Sequence, residues 1–185
     1  LPLSSFSANP DNNFNDTSFT FIAQYDLQEN LNAYAKFSNA YKSGGFNIRD
    51  PEEEAFTDGF DEEKVNAYEI GLKGEILDRR LRFSLVGFHQ EYDDFQYNFQ
   101  IPGTIGNTRV FNLDEGEMSG VEVELTAMPL AGLMINANYA YLDSELDDVE
   151  NPFYDPGNPL SEQIVAGGAF PNAPEHSYSV LADYT

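Results

Sequence analysis

The stretch from Gly120 to Asp148 alternates apolar and polar residues on both sides of a short break, and this pattern constrains the fold more than any other feature. Around the break at 129–132, the alternating pairs are Val121-Glu122, Val123-Glu124, Leu125-Thr126, Ile135-Asn136 and Ala137-Asn138. Successive side chains of a β-strand point to opposite faces of the sheet. The stretch therefore predicts two antiparallel strands with one apolar and one polar face, and either a second sheet or lipid must cover the apolar one.

Alternating runs of the same kind, rich in aromatic and β-branched residues, recur along the whole chain. They lie at residues 18–26, 31–42, 65–77, 81–92, 116–128, 133–143 and 175–184. No stretch predicts a helix with comparable strength. The predicted fold class is all-β, an antiparallel up-and-down meander of about seven long strands.

The connections between these strands alternate between short and long. The short ones are residues 27–30, 78–80 and 129–132, and the long ones are 43–64, 93–115 and 144–174. Outer-membrane barrels combine tight periplasmic turns with long extracellular loops, whereas loops beyond about 12–15 residues are uncommon in compact soluble domains. Strands of about ten residues also exceed the globular mode of roughly 5–6. Both features predict that the meander is an incomplete part of a larger transmembrane β-barrel.

Composition excludes several classes of function. The 185 residues include 32 acidic side chains against 9 Lys and Arg, a net charge of −23 that would repel the phosphates of nucleic acid. There is no cysteine, which excludes a disulfide, a thiolate metal site and a cysteine nucleophile. The sequence shows no signal peptide and no apolar run long enough for a spanning helix, but a spanning strand needs only about 9–11 residues.

Four blocks of sequence carry a resemblance to a known family. They are YKSGGFN at 41–47, VNAYEIGLKGEILDRRLRFSLVGFHQEYDDFQ at 65–96, SGVEVELTAMPLAGLMINANYAYLDSEL at 119–146 and PNAPEHSYSVLADYT at 171–185. In this order they closely resemble the barrel domain of TonB-dependent outer-membrane receptors. The resemblance implies a large antiparallel barrel whose lumen holds an N-terminal plug.

The resemblance also implies a function, namely TonB-energised uptake of a scarce nutrient such as a siderophore–iron complex across the outer membrane of a Gram-negative bacterium. This chain would form barrel wall and extracellular loops and would not be an enzyme. The implied partners are membrane lipid and lipopolysaccharide, the TonB complex acting through the plug, and a nutrient ligand such as an iron chelate, but no nucleic acid. Two alternatives stay open: a passive outer-membrane porin, and a soluble acidic β-sandwich acting as an adhesin or cation-binding module.

One domain is expected over residues 1–185, a partial receptor barrel with an extracellular loop at 1–17 and hairpins at 18–185. The sequence shows neither a plug nor the closing strands with their terminal aromatic residue, so it resembles an internal fragment. Aromatic residues toward the strand ends are expected at the two membrane interfaces. Tyr25 is near a short turn, and toward the other ends lie Tyr34, Phe37, Tyr41, Tyr139, Tyr141 and Tyr178.

The sequence predicts no catalytic residue, no cofactor and no metal site. His89, Glu91 and Asp93 share one strand face, which we interpret as a solvated cluster at a strand end rather than an acid–base site. The acidic loops at 49–64 and 142–159 lack the spacing of a calcium loop and are interpreted as solvated. On the cell exterior they are hypothesised to repel anionic solutes, or to bridge to lipopolysaccharide phosphates through divalent ions.

Polar residues that alternate with apolar ones are the candidates for the barrel lumen. They are Glu69, Lys73, Glu122, Glu124, Asn136 and Asn138. A shift of one residue in strand register would move each of them to the opposite face, so this prediction depends on the register.

Overall fold

The structure, a computed structural model, describes residues 8–50, 52–158 and 164–185. Within these ranges the chain forms eight strands and one short helix: β1 Phe19–Gln28, β2 Leu31–Lys42, α1 Glu53–Asp58, β3 Glu63–Ile76, β4 Leu81–Gln100, β5 Thr108–Leu130, β6 Leu133–Glu150, β7 Ile164–Gly168 and β8 His176–Tyr184. All strand pairs are antiparallel. The predicted all-β antiparallel meander is confirmed.

Each strand from β1 to β6 pairs with the next one along the chain, and β6 also pairs with both β7 and β8. Tight turns close three hairpins at one end of the sheet, here called the turn end, as predicted. The opposite end, here called the loop end, carries the connections that follow β2, β4 and β6. The sheet remains open within the described residues.

One strand more than predicted is present, because β7 lies inside the connection predicted at 144–174. β7 pairs with the loop-end half of β6, where Leu146 is opposite Gly168. β8 pairs with the other half of β6, where Tyr141 is opposite His176. Both strands therefore pair along the same edge of β6. Pro171 and Pro174 lie between the two strands, where the backbone nitrogen does not have to donate a hydrogen bond to a neighbouring strand.

The predicted long connection at 93–115 was wrong. β4 has 20 residues and β5 has 23, and the two pair from Leu81↔Ala127 up to Gln100↔Thr108, leaving 101–107 as the tip. The alternating pattern is interrupted by four acidic residues, Asp93, Asp94, Asp114 and Glu115. For this reason the sequence did not predict the strand segments at 95–100 and 108–113, which lie beyond them. Cross-strand pairing overrides the low strand propensity of those acids.

A short helix also lies where only loop was predicted. α1 occupies six residues after β2 and carries Glu53 and Glu54 in its first turn, where acidic side chains favour the helix dipole. Among the described residues, no helix is long and apolar enough to cross a bilayer.

The buried apolar residues lie at the loop end rather than under the middle of the sheet. Phe99, Ile101, Leu146 and Phe170 are buried there. Large apolar side chains along the rest of the sheet stay exposed, as Ile70 does with 67% of its surface accessible. The described residues provide no second layer that covers this apolar face.

Candidate functional site

One face of the sheet, here called the polar face, carries all six residues predicted for the lumen: Glu69, Lys73, Glu122, Glu124, Asn136 and Asn138. Ser84 links them across the sheet, because it is opposite both Lys73 and Glu124. Glu124 is in turn opposite Asn138. Residues directly opposite each other in a ladder share a face. The structure thus brings the six side chains to a common surface.

A hydrogen-bonded cluster on the polar face joins β2 to β3. Tyr34 Oη donates to Glu69 Oε1 over 2.6 Å, and Lys36 Nζ lies 3.4 Å from Glu69 Oε2. Lys73 Nζ lies 5.2 Å from the centroid of the Tyr34 ring, within the range of a cation–π contact. Tyr34 therefore belongs to the polar face, because it alternates with the apolar residues of β2, and it is separate from the aromatic residues of the opposite face.

Two glycines on the polar face make room for aromatic rings. Gly71 is opposite Tyr34, and a Cβ atom at Gly71 would collide with the Tyr34 ring. Gly120 is likewise opposite Phe88, whose ring fills the space of a Cβ atom there. Each ring therefore packs against the backbone of the neighbouring strand.

A shallow cleft of about 310 Å³ opens on the polar face beside this cluster. Glu69, Glu122 and Glu124 line it together with Lys73. Among the described residues, Glu122 and Glu124 make no ion pair. The cleft therefore has an excess of negative charge, which favours a cationic or hydrogen-bond-donating group over an anionic one.

The opposite face of the sheet, here called the apolar face, has a row of aromatic rings toward the loop end. Register pairs run from Phe21 to Phe37, from Phe37 to Tyr68, and from Tyr68 to His89. The ring centroids of Phe37 and Tyr68 are 5.0 Å apart, and those of Tyr68 and His89 are 6.1 Å apart. Between this row and the turn end, aliphatic side chains dominate the apolar face.

His89 and Glu91 interact, as their shared face predicts. His89 Nε2 lies 3.4 Å from Glu91 Oε1, and His89 Nδ1 lies 2.8 Å from the hydroxyl of Ser119. Asp93 is exposed on the same strand, but the strand continues to Gln100, so the cluster does not mark a strand end as predicted.

Side-chain amides attach the connection between β2 and β3 to the long β4–β5 hairpin. Asn47 accepts from Val110 N over 2.8 Å and donates to Val110 O over 3.3 Å. Asn112 does the same with the main chain of Asp61, over 2.7 and 3.0 Å. Gln96 Nε2 donates to two main-chain carbonyls of this connection, each over 3.0 Å. The amides thereby extend the sheet's hydrogen bonding onto a segment that is not a strand.

Arg109, at the start of β5, binds the same connection through its charge. Its Nε and one terminal nitrogen donate to the two Asp50 carboxylate oxygens, and that terminal nitrogen also lies 2.9 Å from Glu52. Burial by itself raises the pKa of Asp50, but hydrogen bonds from Arg109 and Glu52 N, with the Arg109 charge, hold that pKa below its ordinary value. The hydrogen bond to Asp50 raises the pKa of Arg109 in turn.

The acidic loop at 49–64 distributes its carboxylates among separate partners. Glu62 lies 2.9 Å from Lys64, and Glu63 lies 3.8 Å from Lys42. The hydrogen bond that Lys64 Nζ donates to Glu62 raises the pKa of Lys64. In the part of the chain that the structure describes, no three His, Asp or Glu residues come together as a metal-ion site.

Sequence reasoning missed several residues of these surfaces. The partners of Tyr34 are strand neighbours whose alignment requires the register between β2 and β3. Arg109 had one available signal, because it is the single basic residue in an otherwise acidic predicted loop at 93–115. Asn47, Gln96 and Asn112 had none, since amides at loop ends are common in sequences of every class.

A family model described as TonB dependent receptor-like, beta-barrel, matches residues 2–185. The chain belongs to this family. Its members are transport receptors rather than enzymes. The resemblance carried by the four sequence blocks is confirmed.

Curated relatives of this receptor barrel include three proteins named for siderophore or metal uptake. The probable TonB-dependent siderophore receptor PiuA of Acinetobacter baumannii is 27% identical over 67% of this chain and 16% of its own length. The ferripyoverdine receptor of Pseudomonas aeruginosa is 28% identical over 64% of this chain and 15% of its own length. The metal-pseudopaline receptor CntO of Pseudomonas aeruginosa is 25% identical over 86% of this chain and 20% of its own length. The chain thus spans about a fifth or less of these relatives.

Solved structures share the fold of this receptor barrel. The ferric yersiniabactin uptake receptor FyuA of Yersinia pestis superposes with a TM-score of 0.66 and 21% identity, over 89% of this chain and 22% of FyuA. The ferric-catecholate import receptor Fiu of E. coli superposes with a TM-score of 0.58 and 20% identity, over 89% of this chain and 22% of Fiu. The eight strands therefore have the arrangement of part of a receptor barrel wall.

Proposed function

We propose that this chain forms part of the wall and outer loops of an outer-membrane receptor that imports a scarce nutrient, such as a siderophore–iron complex, using energy from the TonB complex. The observation that carries the proposal is a single sheet of receptor-barrel topology whose apolar face no other layer covers. Family membership supports import by a receptor over passive diffusion through a porin. The absence of a covering layer among the described residues weighs against the soluble sandwich.

In this proposal the apolar face contacts lipid and the polar face lines the lumen. A spanning strand needs only about 9–11 residues, and β5 from Ser119 to the turn end supplies that length. The remaining part of β5 then extends beyond the membrane at the loop end. The aromatic row from Phe21 to His89 supports this division, because aromatic girdles lie where barrel strands meet the membrane interface.

Membrane lipid on the apolar face, lipopolysaccharide at the loop end and the TonB complex acting through a plug are proposed partners. The acidic cleft supports contact with a positively charged segment inside the lumen, because its carboxylates Glu122 and Glu124, which make no ion pair among the described residues, are stabilised by a nearby cation. Residues 8–17, of the predicted extracellular loop at 1–17, approach the loop end, where Asp16 lies 3.5 Å from Lys64. Residues 1–7 of that loop lie outside the described residues.

The orientation is tested with cysteine substitutions at neighbouring positions of β5 in the full-length receptor. Glu122→Cys is expected to react with a small water-soluble maleimide in outer-membrane vesicles, whereas Val123→Cys is expected to react only with a lipid-soluble reagent. Glu124→Cys and Leu125→Cys provide a second matched pair two residues further along. Equal reaction of both members of each pair with the water-soluble reagent would exclude a lipid-facing wall.

Import is tested with radioactive iron in a Gram-negative strain that lacks its own siderophore receptors. The strain expresses the full-length receptor and is given ferric hydroxamate and ferric catecholate complexes, with TonB present or deleted. Uptake that requires TonB is expected for at least one complex. Uptake that persists without TonB would indicate a passive channel, and no uptake of either complex would contradict the proposed substrate class.

A further inference from the structure

Arg109 contacts two long connections at the loop end that are far apart in sequence. Its guanidinium edge binds Asp50 and Glu52 in the connection between β2 and β3. Its guanidinium carbon lies 5.2 Å from the ring centroid of Phe153, in the connection between β6 and β7, and 5.8 Å from that of Phe111. One side chain therefore joins both connections to β5.

The chemistry of these contacts requires arginine. A planar guanidinium donates two parallel hydrogen bonds to a carboxylate along its edge while its faces stack on aromatic rings. The Asp50 side chain is fully buried and that of Arg109 is 11% exposed, so water competes little for either group. Lysine would keep the charge but would lose both the paired hydrogen bonds and the stacking.

The two connections are attached in different ways. Asn47, Gln96 and Asn112 fix the connection after β2 to the β4–β5 hairpin independently of Arg109. The connection after β6 meets this assembly where Phe153 packs on Arg109 and edge-on against Phe111, with ring centroids 5.8 Å apart. The position of the second connection relative to the first therefore depends on the guanidinium face of Arg109 together with the Phe111 ring.

We propose that Arg109 is a positioning residue that fixes residues 151–158, the described part of the connection after β6, against the connection after β2, so that both form one wall at the loop end. The proposal rests on the proposed function, in which the loop end is the side from which ligand enters. Arg109 then sets the width of the ligand entrance through Asp50 and Phe153 rather than by contact with the ligand.

The test measures the distance between the two connections in the full-length receptor, without any ligand. Cysteines replace the exposed residues Glu54 and Tyr154 and carry spin labels, and pulsed electron resonance gives the distance distribution. The receptor with Arg109 is expected to show one narrow distribution. Arg109→Ala and Arg109→Lys are expected to widen it at least twofold.

Arg49→Ala is the matched control, because Arg49 is an exposed arginine of the same connection with no ion pair among the described residues. Its distribution is expected to match that of the unaltered receptor. Equal widths for Arg109→Ala and Arg49→Ala would overturn the proposal.

A second pair of variants keeps the buried ion pair and alters only the stacking partner. Phe153→Leu is expected to widen the distribution at least twofold, and Phe153→Tyr is expected to restore the narrow one because it keeps an aromatic face for Arg109. An unchanged width in Phe153→Leu would overturn the proposal even if Arg109→Ala fails to assemble. Because no ligand is present, these outcomes are independent of whether iron uptake is observed.

Discussion

At the scale of single residues, the pairing of Tyr34 with Gly71 shows how one glycine organises a polar surface. The ring occupies the space that a side chain at position 71 would take. That placement brings the Tyr34 hydroxyl to Glu69 and the Tyr34 ring to Lys73. Loss of the glycine would displace a ring on which two contacts depend, one with Glu69 and one with Lys73.

We expect Gly71→Ala to destabilise the receptor by about 1–3 kcal/mol, the usual penalty for overpacking a filled site. The matched control is Gly87→Ala, because a Cβ atom there meets its nearest neighbour, Ile70, at 3.7 Å. Thermal unfolding of the full-length receptor in detergent measures both. Tyr34→Ala combined with Gly71→Ala should recover part of the loss, and equal stability of the two single glycine variants would contradict this account.

The Asp50 carboxyl determines how the loop end responds to acid. Its pKa in the folded chain lies below its ordinary value of about 3.9. Because the pKa of Asp50 is lowered on folding, its ionised carboxylate stabilises the fold at pH values above the pKa of the unfolded chain. This stabilisation is lost as the pH falls through the pKa of the folded chain. We expect amide-exchange protection of residues 43–62 to persist from neutral pH to about 4 and to fall only below it. Loss of protection between pH 7 and 5 would contradict this prediction, and Asp50→Asn should abolish the acid transition.

At the scale of elements, a local kink in β4 creates the aromatic packing at the loop end. Asp94 has a φ of +55°, in the left-handed region that side chains adopt at a penalty. Residues three apart in a regular strand point to opposite faces. Here Tyr92 and Phe95 lie on one side, with centroids 5.8 Å apart, and both meet Phe170. The kink thus turns Phe95 toward Phe170, which belongs to the small buried core.

We expect Asp94→Gly to be tolerated within about 1 kcal/mol, because glycine adopts positive φ freely. Asp94→Val should destabilise the hairpin by about 1–2 kcal/mol, since a β-branched side chain is strained in this conformation. The two variants are compared by thermal unfolding and by accessibility of Phe95→Cys to a thiol reagent. Equal behaviour of the glycine and valine variants would show that the left-handed conformation is not required.

At the scale of the whole molecule, the exposed apolar face and the open edges of the sheet determine what the chain can do alone. The sheet ends at β1 on one side and at β7 and β8 on the other, and each of these strands has one unpaired edge among the described residues. Unpaired edges template association with other chains, and large apolar patches do the same. The packed core at the loop end is too small to offset this exposure.

We therefore expect residues 1–185, produced without the remainder of a receptor, to aggregate in water and to disperse in detergent micelles. Analytical ultracentrifugation with and without detergent measures this outcome. Val121→Lys combined with Leu125→Lys should increase dispersal in water, because both residues are on the exposed apolar face. A monomeric, cooperatively melting preparation in plain buffer would contradict a membrane-facing sheet.

Much of the fold followed from the sequence because strand alternation is a local property. The alternation from Val121 to Ala127 predicts which residues share a face, and the tight turns fix the order of the strands. The assignment of six residues to one face, Glu69 and Glu124 among them, depends only on the register of the hairpins. It needs no other long-range contact. Net charge and the lack of cysteine are properties of composition, and from them the sequence predicts no nucleic-acid binding and no thiol chemistry.

Only the tertiary structure decided how the loop end is built. The extension of β4 and β5 past their acidic residues depends on pairing between the two strands, and β7 depends on the edge that β6 offers. Arg109 contacts Asp50 and Phe153, which are both far from it in sequence. No repeating sequence pattern predicts these contacts. Such contacts join segments that are distant in sequence, so their energy comes from burial and charge pairing rather than from local conformational preference.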